Sequence, residues 1–144
     1  AEGQMNLSPH FTLEELIATQ HRGIDNTPPP EVLANLGFTA LNLEAVRAYL
    51  GCPIIISSGY RCPELNKAVG GQPKSQHLTG QAVDFIAPGF GPPRAVAARL
   101  KDSGIGWDQL IVEFDRWVHI SFSPTSQRGQ MLCIDSSGTR PLFV

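Results

Sequence analysis

Residues 75–84, SQHLTGQAVD, hold a histidine and an aspartate at a fixed separation. Gly80 allows a tight turn of the backbone between His77 and Asp84, because glycine adopts conformations that other residues avoid. Residues 82–86 then read as a short buried strand, which presents the Asp84 carboxylate at a defined angle. The stretch therefore supplies two candidate metal ligands.

A third ligand has to come from elsewhere in the chain. His119 is the only other histidine within a strand-like run, WVHISF at 117–122, in which its apolar neighbours point to the opposite face. Two imidazoles and one carboxylate form an open tetrahedral set for zinc, and the fourth position is left to water, as in catalytic zinc sites. We therefore predict that His77, Asp84 and His119 bind zinc. The competing interpretation is that each is an ordinary satisfied polar residue.

The bulk properties of the chain limit its class. A chain of 144 residues, 42% of them hydrophobic, is long enough for one domain with a buried core and too short to expect two. The formal net charge of −2 gives no basic stripe, so we expect no nucleic-acid partner. No apolar run reaches membrane-spanning length. We predict a single domain over residues 1–144 that acts as a monomer without a membrane span.

The N-terminal residues 1–4, AEGQ, precede Met5 and lack the charged and apolar regions of a secretory signal. We expect them to be left over from cloning, with the native start at Met5. The other interpretation is that Ala1 follows a removed signal peptide. Three scattered cysteines favour reduced thiols and synthesis in the cytoplasm.

Hydrophobic spacing and turn residues divide the chain into helices and strands. Thr12 and Glu15 form a capping box that predicts a helix over about residues 11–20, followed by an irregular arm to residue 30, so that 5–30 form an N-terminal helix and arm. Residues 31–50 predict one long helix, or two short ones broken at Gly37. We further predict a strand at 54–56 buried on both sides, helices over 63–69 and 94–101, and hairpins over 107–122 and 131–144.

Three separated blocks occur in an order that is typical of one family. SSGYRCP at 57–63, with Asn66 after it, is followed by the pattern SxHxxGxAxD at 75–84 and by WVHIS at 117–121. Together they resemble the M15 zinc peptidases, which cleave D-amino-acid peptide bonds in bacterial cell walls. LSPHFTLEEL at 7–16 is similar to small phage and prophage members of this group. The resemblance implies a compact α+β fold whose antiparallel sheet holds zinc in a groove with helices on one side, as in hedgehog signalling domains and vancomycin-resistance dipeptidases.

A peptidase of this kind also needs a general base that holds the attacking water and protonates the leaving amine. Glu113 is our first candidate. If the hairpin turns through the three residues 114–116, Glu113 pairs with Trp117 and lies on the same face as His119. Many relatives carry the catalytic carboxylate three residues before the last histidine, where this chain has Arg116, so Asp115 is the second candidate.

The resemblance also implies roles for residues around the zinc. Arg61 corresponds to the family arginine that steadies the developing oxyanion or the substrate carboxylate, a task suited to a planar guanidinium. Ser75 is expected to donate to the substrate backbone, with Gln76 assisting, although a serine here also suits a turn. Trp117 is expected to line the groove, although aromatic residues in strands usually belong to the core.

These observations lead to one function and one alternative from a different class. We predict a zinc D,D-peptidase that acts on peptidoglycan stem peptides, either trimming a terminal residue or cutting crosslinks, made in the cytoplasm and acting at the cell wall or in the periplasm. The phage-like opening favours degradation of the wall. The alternative is a zinc-bearing binding domain of hedgehog-like fold without hydrolysis. Glu113 and Arg61 near the zinc would discriminate, since a binding domain needs neither.

Overall fold

The computed structural model describes residues 5–143 of the chain. Its helices are α1 (Leu13–Ile17), α2 (Pro30–Leu50), α3 (Pro63–Ala68) and α4 (Pro93–Lys101), with a 3-10 helix at Gln76–Thr79. Its strands are β1 (Asn6–Ser8), β2 (Phe11–Thr12), β3 (Ile55–Ser58), β4 (Ala82–Ile86), β5 (Gln109–Glu113), β6 (Trp117–Ser121), β7 (Gln130–Asp135) and β8 (Gly138–Pro141). The expectation about residues 1–4 lies outside the described residues.

Strands β3 to β8 form one six-stranded sheet in the order β3-β4-β6-β5-β7-β8. All neighbours are antiparallel except β5 and β7, which run parallel. Strand β6 ends beside the start of β5, and residues 122–129 pass that end of β5, so β7 begins on its other side and runs in the same direction. The predicted α+β domain is confirmed, with the difference that its sheet is mixed rather than wholly antiparallel.

The two-residue period of the strands gives the sheet two different faces. One face packs against side chains of α2 and α4 and is closed to solvent. The other face carries the polar candidates for function. The core side chains contributed by the central strands are Val83, Phe85, Leu110, Val112, Val118 and Ile120.

The first helix is shorter than predicted. The capping box of Thr12 and Glu15 is present, but the chain leaves the helix at Ala18. The carbonyl of Leu16 accepts from Tyr60 N at 2.7 Å, and that of Ile17 accepts from the Asn26 side chain at 2.9 Å. Because these carbonyls bond groups from other segments, the helical ladder ends there. Leu16 is fully buried in the core.

The strand predicted at residues 54–56 is not buried on both sides, so that prediction is wrong. β3 is an edge strand that pairs only with β4, and Ile55 is 53% exposed. An unbroken β-branched run marks a strand but does not show whether a second neighbour covers it. The remaining helices and both hairpins form close to their predicted positions, with β8 starting at Gly138; Val144 lies outside the described residues.

Two glycines illustrate opposite local constraints. Gly37 does not break α2, which runs as one helix, and a Cβ at this position would meet nothing within 4 Å in the described part of the chain. A Cβ on Gly59 would clash with the carbonyl oxygen of Leu16. Only a residue without a side chain lets these two backbones approach, and this contact ties α1 to the end of β3.

We expect Gly59→Ala to lower the free energy of unfolding by at least about 2 kcal/mol, because backbone atoms have to move to admit the methyl group. The matched control is Gly37→Ala, which should raise it by up to about 1 kcal/mol, since alanine is the better helix former. Urea unfolding measures both values. Equal stabilities for the two variants would contradict the close approach.

Candidate metal centre

The three predicted ligands come from three elements that the fold brings together. Asp84 on β4 and His119 on β6 are directly opposite in the antiparallel register. His77 lies in the 3-10 helix, where the Ser75 hydroxyl accepts from His77 N at 3.1 Å and Gly80 ends the helix with φ +76°. Turn and strand therefore hold the ligands from two directions. All three side chains are buried, with 2%, 5% and 8% exposure for His77, Asp84 and His119.

The spacing of the ligand atoms fits a small metal ion. Asp84 Oδ1 lies 3.2 Å from His77 Nε2 and 3.1 Å from His119 Nδ1. Tetrahedral zinc with bonds of about 2.0–2.1 Å has its ligand atoms about 3.3 Å apart. The ligand atoms of the three residues all lie within 4.8 Å of one another. The group can hold a metal ion, and it leaves room for a further ligand.

Neighbouring groups fix the orientation of these ligands. His77 Nδ1 donates to the Gly59 carbonyl oxygen at 2.7 Å, and this bond turns the ring so that Nε2 faces Asp84 Oδ1. Arg61 Nη2 donates to Asp84 Oδ2 at 3.4 Å, which leaves Oδ1 for the metal. Burial would raise the pKa of Asp84, but hydrogen bonds from His119 and His77 hold it well below its usual range. Such outer partners set the protonation state and direction of metal ligands.

Arg61 is held from three sides. Besides Asp84, it donates from Nε to Ser58 Oγ at 3.1 Å and from Nη1 to Asn66 Oδ1 at 3.2 Å. Asn66 is itself buried and donates to the Gln72 carbonyl at 2.9 Å. The guanidinium is therefore held rigidly beside the candidate metal site. It also lines the groove onto which this site opens.

Glu113 is placed as the strand parity predicted. It pairs with Trp117, and Ile111 pairs with His119, so the three-residue turn puts Glu113 and His119 on one face. Glu113 Oε1 lies 3.7 Å from His119 Nδ1. Burial, followed by the nearby charge of Asp84, raises the pKa of Glu113. Asp115 lies elsewhere: its exposed carboxylate binds Arg94 Nε at 3.2 Å on α4.

Trp117 lies beside Glu113 at the rim of the site. Its ring contacts Phe114 with centroids 5.9 Å apart. The buried indole Nε1 has no hydrogen-bond partner among residues 5–143. Trp117 lies next to Glu113 because the two residues pair directly across the hairpin. Trp117 is therefore a wall of the site rather than a core residue.

A second polar cluster, which the sequence analysis missed, supports Gln76. Gln76 Nε2 donates to Asp108 Oδ2 at 2.8 Å, and Arg128 binds the same carboxylate with two side-chain bonds at 2.7 and 2.8 Å. A carboxylate only accepts, so the Gln76 nitrogen has to face it. The Gln76 oxygen is then buried without a partner in the described part of the protein. Asp108 and Arg128 are 20 positions apart in the sequence. The only sequence feature that indicates their pairing is an aspartate, Asp108, within an apolar run.

The metal-binding candidates open onto a groove of about 730 Å³. Its lining comes from the 3-10 helix and the preceding loop on one side and from the sheet on the other. Predicted residues in the lining are Arg61, Ser75, Gln76, His77, Asp84, Glu113, Trp117 and His119. The structure thus brings together all the predicted site residues except Asp115.

Asp108→Asn should lower the free energy of unfolding at pH 7 by about 1–3 kcal/mol, because Arg128 and Gln76 lose the charge of their buried acceptor. Bonds from Arg128 lower the pKa of Asp108, so the stabilisation is fully present above the unfolded pKa of about 4 and declines as the pH falls below it. Thermal unfolding at pH 7 and pH 3 checks both statements. The control is Asp135→Asn, which breaks the exposed pair with Arg140 and should change little; an equal loss in both variants would contradict a special role for Asp108.

Comparison with known proteins agrees with this geometry. The profile of the family described as Peptidase M15 matches residues 9–121, well over half of the chain. The matched region contains His77, Asp84 and His119 and ends with β6, before β7 begins. The search of curated proteins gives no significant match. The chain belongs to the Peptidase M15 family, which indicates a metallopeptidase acting on a peptide substrate.

Proposed function

We propose that the protein is a zinc-dependent D,D-peptidase that hydrolyses peptide bonds in bacterial peptidoglycan stem peptides or their crosslinks. The observation that carries the proposal is a buried His77, Asp84 and His119 group that faces an open groove, with the Glu113 carboxylate 3.7 Å from His119. The donor set fits zinc because two imidazole nitrogens and one carboxylate are typical of open zinc sites. His77, Asp84 and His119 would hold the ion.

Zinc bound by these residues would supply a water of lowered pKa and would polarise the scissile carbonyl. Glu113 accepts the proton of the attacking water and later delivers it to the amine leaving group, because it is the carboxylate on the ligand face that is not itself a predicted ligand. Arg61 keeps Asp84 in place and brings a fixed positive charge to the groove, where negative charge develops on the carbonyl oxygen. Ser75 and Gln76 lie along the groove where the substrate backbone would pass.

The alternative function is a metal-bearing binding domain without hydrolysis. Such a domain has no need of a second carboxylate or an arginine beside the ligands. Glu113 and Arg61 are both there, at 3.7 Å from His119 and 3.4 Å from Asp84. Their positions favour the peptidase.

We propose further that the protein is related to a phage or prophage, is made in the cytoplasm and acts at the cell wall or in the periplasm. The support is the likeness of LSPHFTLEEL at 7–16 to phage members of the family. Of the helices within the described range, none has the length and hydropathy required to cross a membrane.

Mass spectrometry of purified muropeptides after incubation with the enzyme tests the reaction, because the fragment lost identifies the bond. If no muropeptide from a panel of wall types is cut, the peptidase is the wrong proposal.

Glu113→Gln should leave the fold and the metal content intact and lower the turnover of muropeptides by at least about 100-fold, since the amide fills the same space but cannot accept a proton. The control is Asp115→Asn, which should keep nearly full activity because Asp115 is directed at Arg94. Rates come from chromatography of the products. An inactive Asp115→Asn with an active Glu113→Gln would show that Asp115 is the base.

Zinc should bind at about one ion per chain and raise the melting temperature, because only the folded chain unites the three ligands. At free zinc 100 times above the dissociation constant, the gain is about 2.7 kcal/mol. His77→Ala should lose this gain. His21→Ala, which changes an exposed histidine outside the site, should retain it. Metal analysis and thermal unfolding with and without chelator measure both effects, and full zinc in His77→Ala would refute the ligand assignment.

A further inference from the structure

We propose that the C-terminal hairpin of β7 and β8 builds a second part of the substrate groove, which binds the aliphatic side chain of a crosslinked stem peptide. We call Ile111, Leu132 and Ile134 the hairpin floor. The proposal rests on the proposed function and deepens it, because it selects crosslinks over free peptide ends. The family match ends at residue 121, so family membership does not assign this part of the groove.

The strand register places the hairpin floor on the same face as the reaction centre. Ile111 lies opposite His119 across β5 and β6 and beside Leu132 across β5 and β7. Glu113 lies beside Ile134. The intervening residue Cys133 points the other way into the core. The floor is therefore continuous with the candidate base and a metal ligand, and all three of its side chains line the groove.

The length of the groove exceeds what a terminal residue would occupy. It reaches from Asp84 on β4, across β6, β5 and β7, to Thr139 on β8. Four spacings between neighbouring strands make about 19 Å. At about 3.3 Å per residue, an extended peptide of five or six residues would span that distance. A peptide crossing the sheet in this way continues well beyond the bond at the metal site.

The chemistry of the floor selects the ligand. Leu132 and Ile134 are only partly buried, so a ligand can cover apolar surface that water now contacts. At one end of the floor, the Gln109 and Gln130 side chains join through a 2.9 Å hydrogen bond and offer amide groups. An apolar strip bordered by amides suits a peptide that carries a long aliphatic side chain. A peptidoglycan crosslink has this form beyond the scissile bond, because the amine of that bond belongs to the side chain of a diamino acid, whereas a free stem peptide has only its terminal residue there.

The test compares two probes, a crosslinked muropeptide dimer and the corresponding uncrosslinked pentapeptide monomer. Affinities are measured by titration calorimetry in the Glu113→Gln background, so that hydrolysis is not required. The variant carries Leu132→Thr and Ile134→Thr, because threonine suits a strand while it removes apolar surface. The control is Ile55→Thr, the same change at an exposed position on the opposite sheet edge. Thermal unfolding checks each fold, and the two single variants replace the double one if it is unfolded.

We expect the dimer to bind about tenfold more tightly than the monomer, and the floor substitutions to remove that preference, because about two buried methylene groups correspond to a tenfold change or more. Ile55→Thr should keep the preference. A preference that survives the floor substitutions, or is absent from the start, overturns the inference even if the enzyme hydrolyses muropeptides. A dimer preference that depends on the floor, without hydrolysis by the otherwise unsubstituted enzyme, supports the subsite and refutes the peptidase. Failure to bind either probe overturns both.

Discussion

The pairing of Asp84 with His119 across β4 and β6 is the constraint on which the rest of the structure depends. In an antiparallel pair, opposite residues share a face and their neighbours share the other. Once Asp84 faces His119, Val83 must face Ile120 on the core side. A slip by one residue would expose the core and bury the ligands in it. Core packing and site geometry are thus two results of one register, so the hydrophobic burial that stabilises the sheet also aligns the ligands.

The same register explains how much could be predicted from the sequence. Alternation in the runs around Glu113 and His119 predicted that the two residues share a face, on the condition that the hairpin turn has an odd number of residues, and the turn of three residues meets that condition. These are local patterns, and they specify which face a side chain takes. The helix cap at Thr12 and the turn at Gly80 are also specified by local sequence patterns, and both are found where they were predicted.

Other features depend on contacts between distant segments, which no local pattern contains. The first helix ends early because Tyr60 and Asn26 bond its carbonyls. The exposure of Ile55 depends on β3 having only one neighbour. The parallel pairing of β7 with β5 and the Asp108–Arg128 pair likewise depend on where residues 122–129 pass. In each case, a residue's role is set by a partner that the sequence does not place nearby.

Burial of charge links these distant contacts to the site. A buried carboxylate is costly unless it is paired, and Asp84 is 5% exposed with Glu113 on the same face. Arg61 and the two histidines offset that cost for Asp84, and Arg61 is in turn fixed by Ser58 and Asn66. For Glu113 the compensation is weaker, and burial raises its pKa. The two carboxylates on one face thus have different environments: Asp84 is held ionised as a ligand should be, whereas Glu113 is left more easily protonated, as a group that takes up and releases a proton should be.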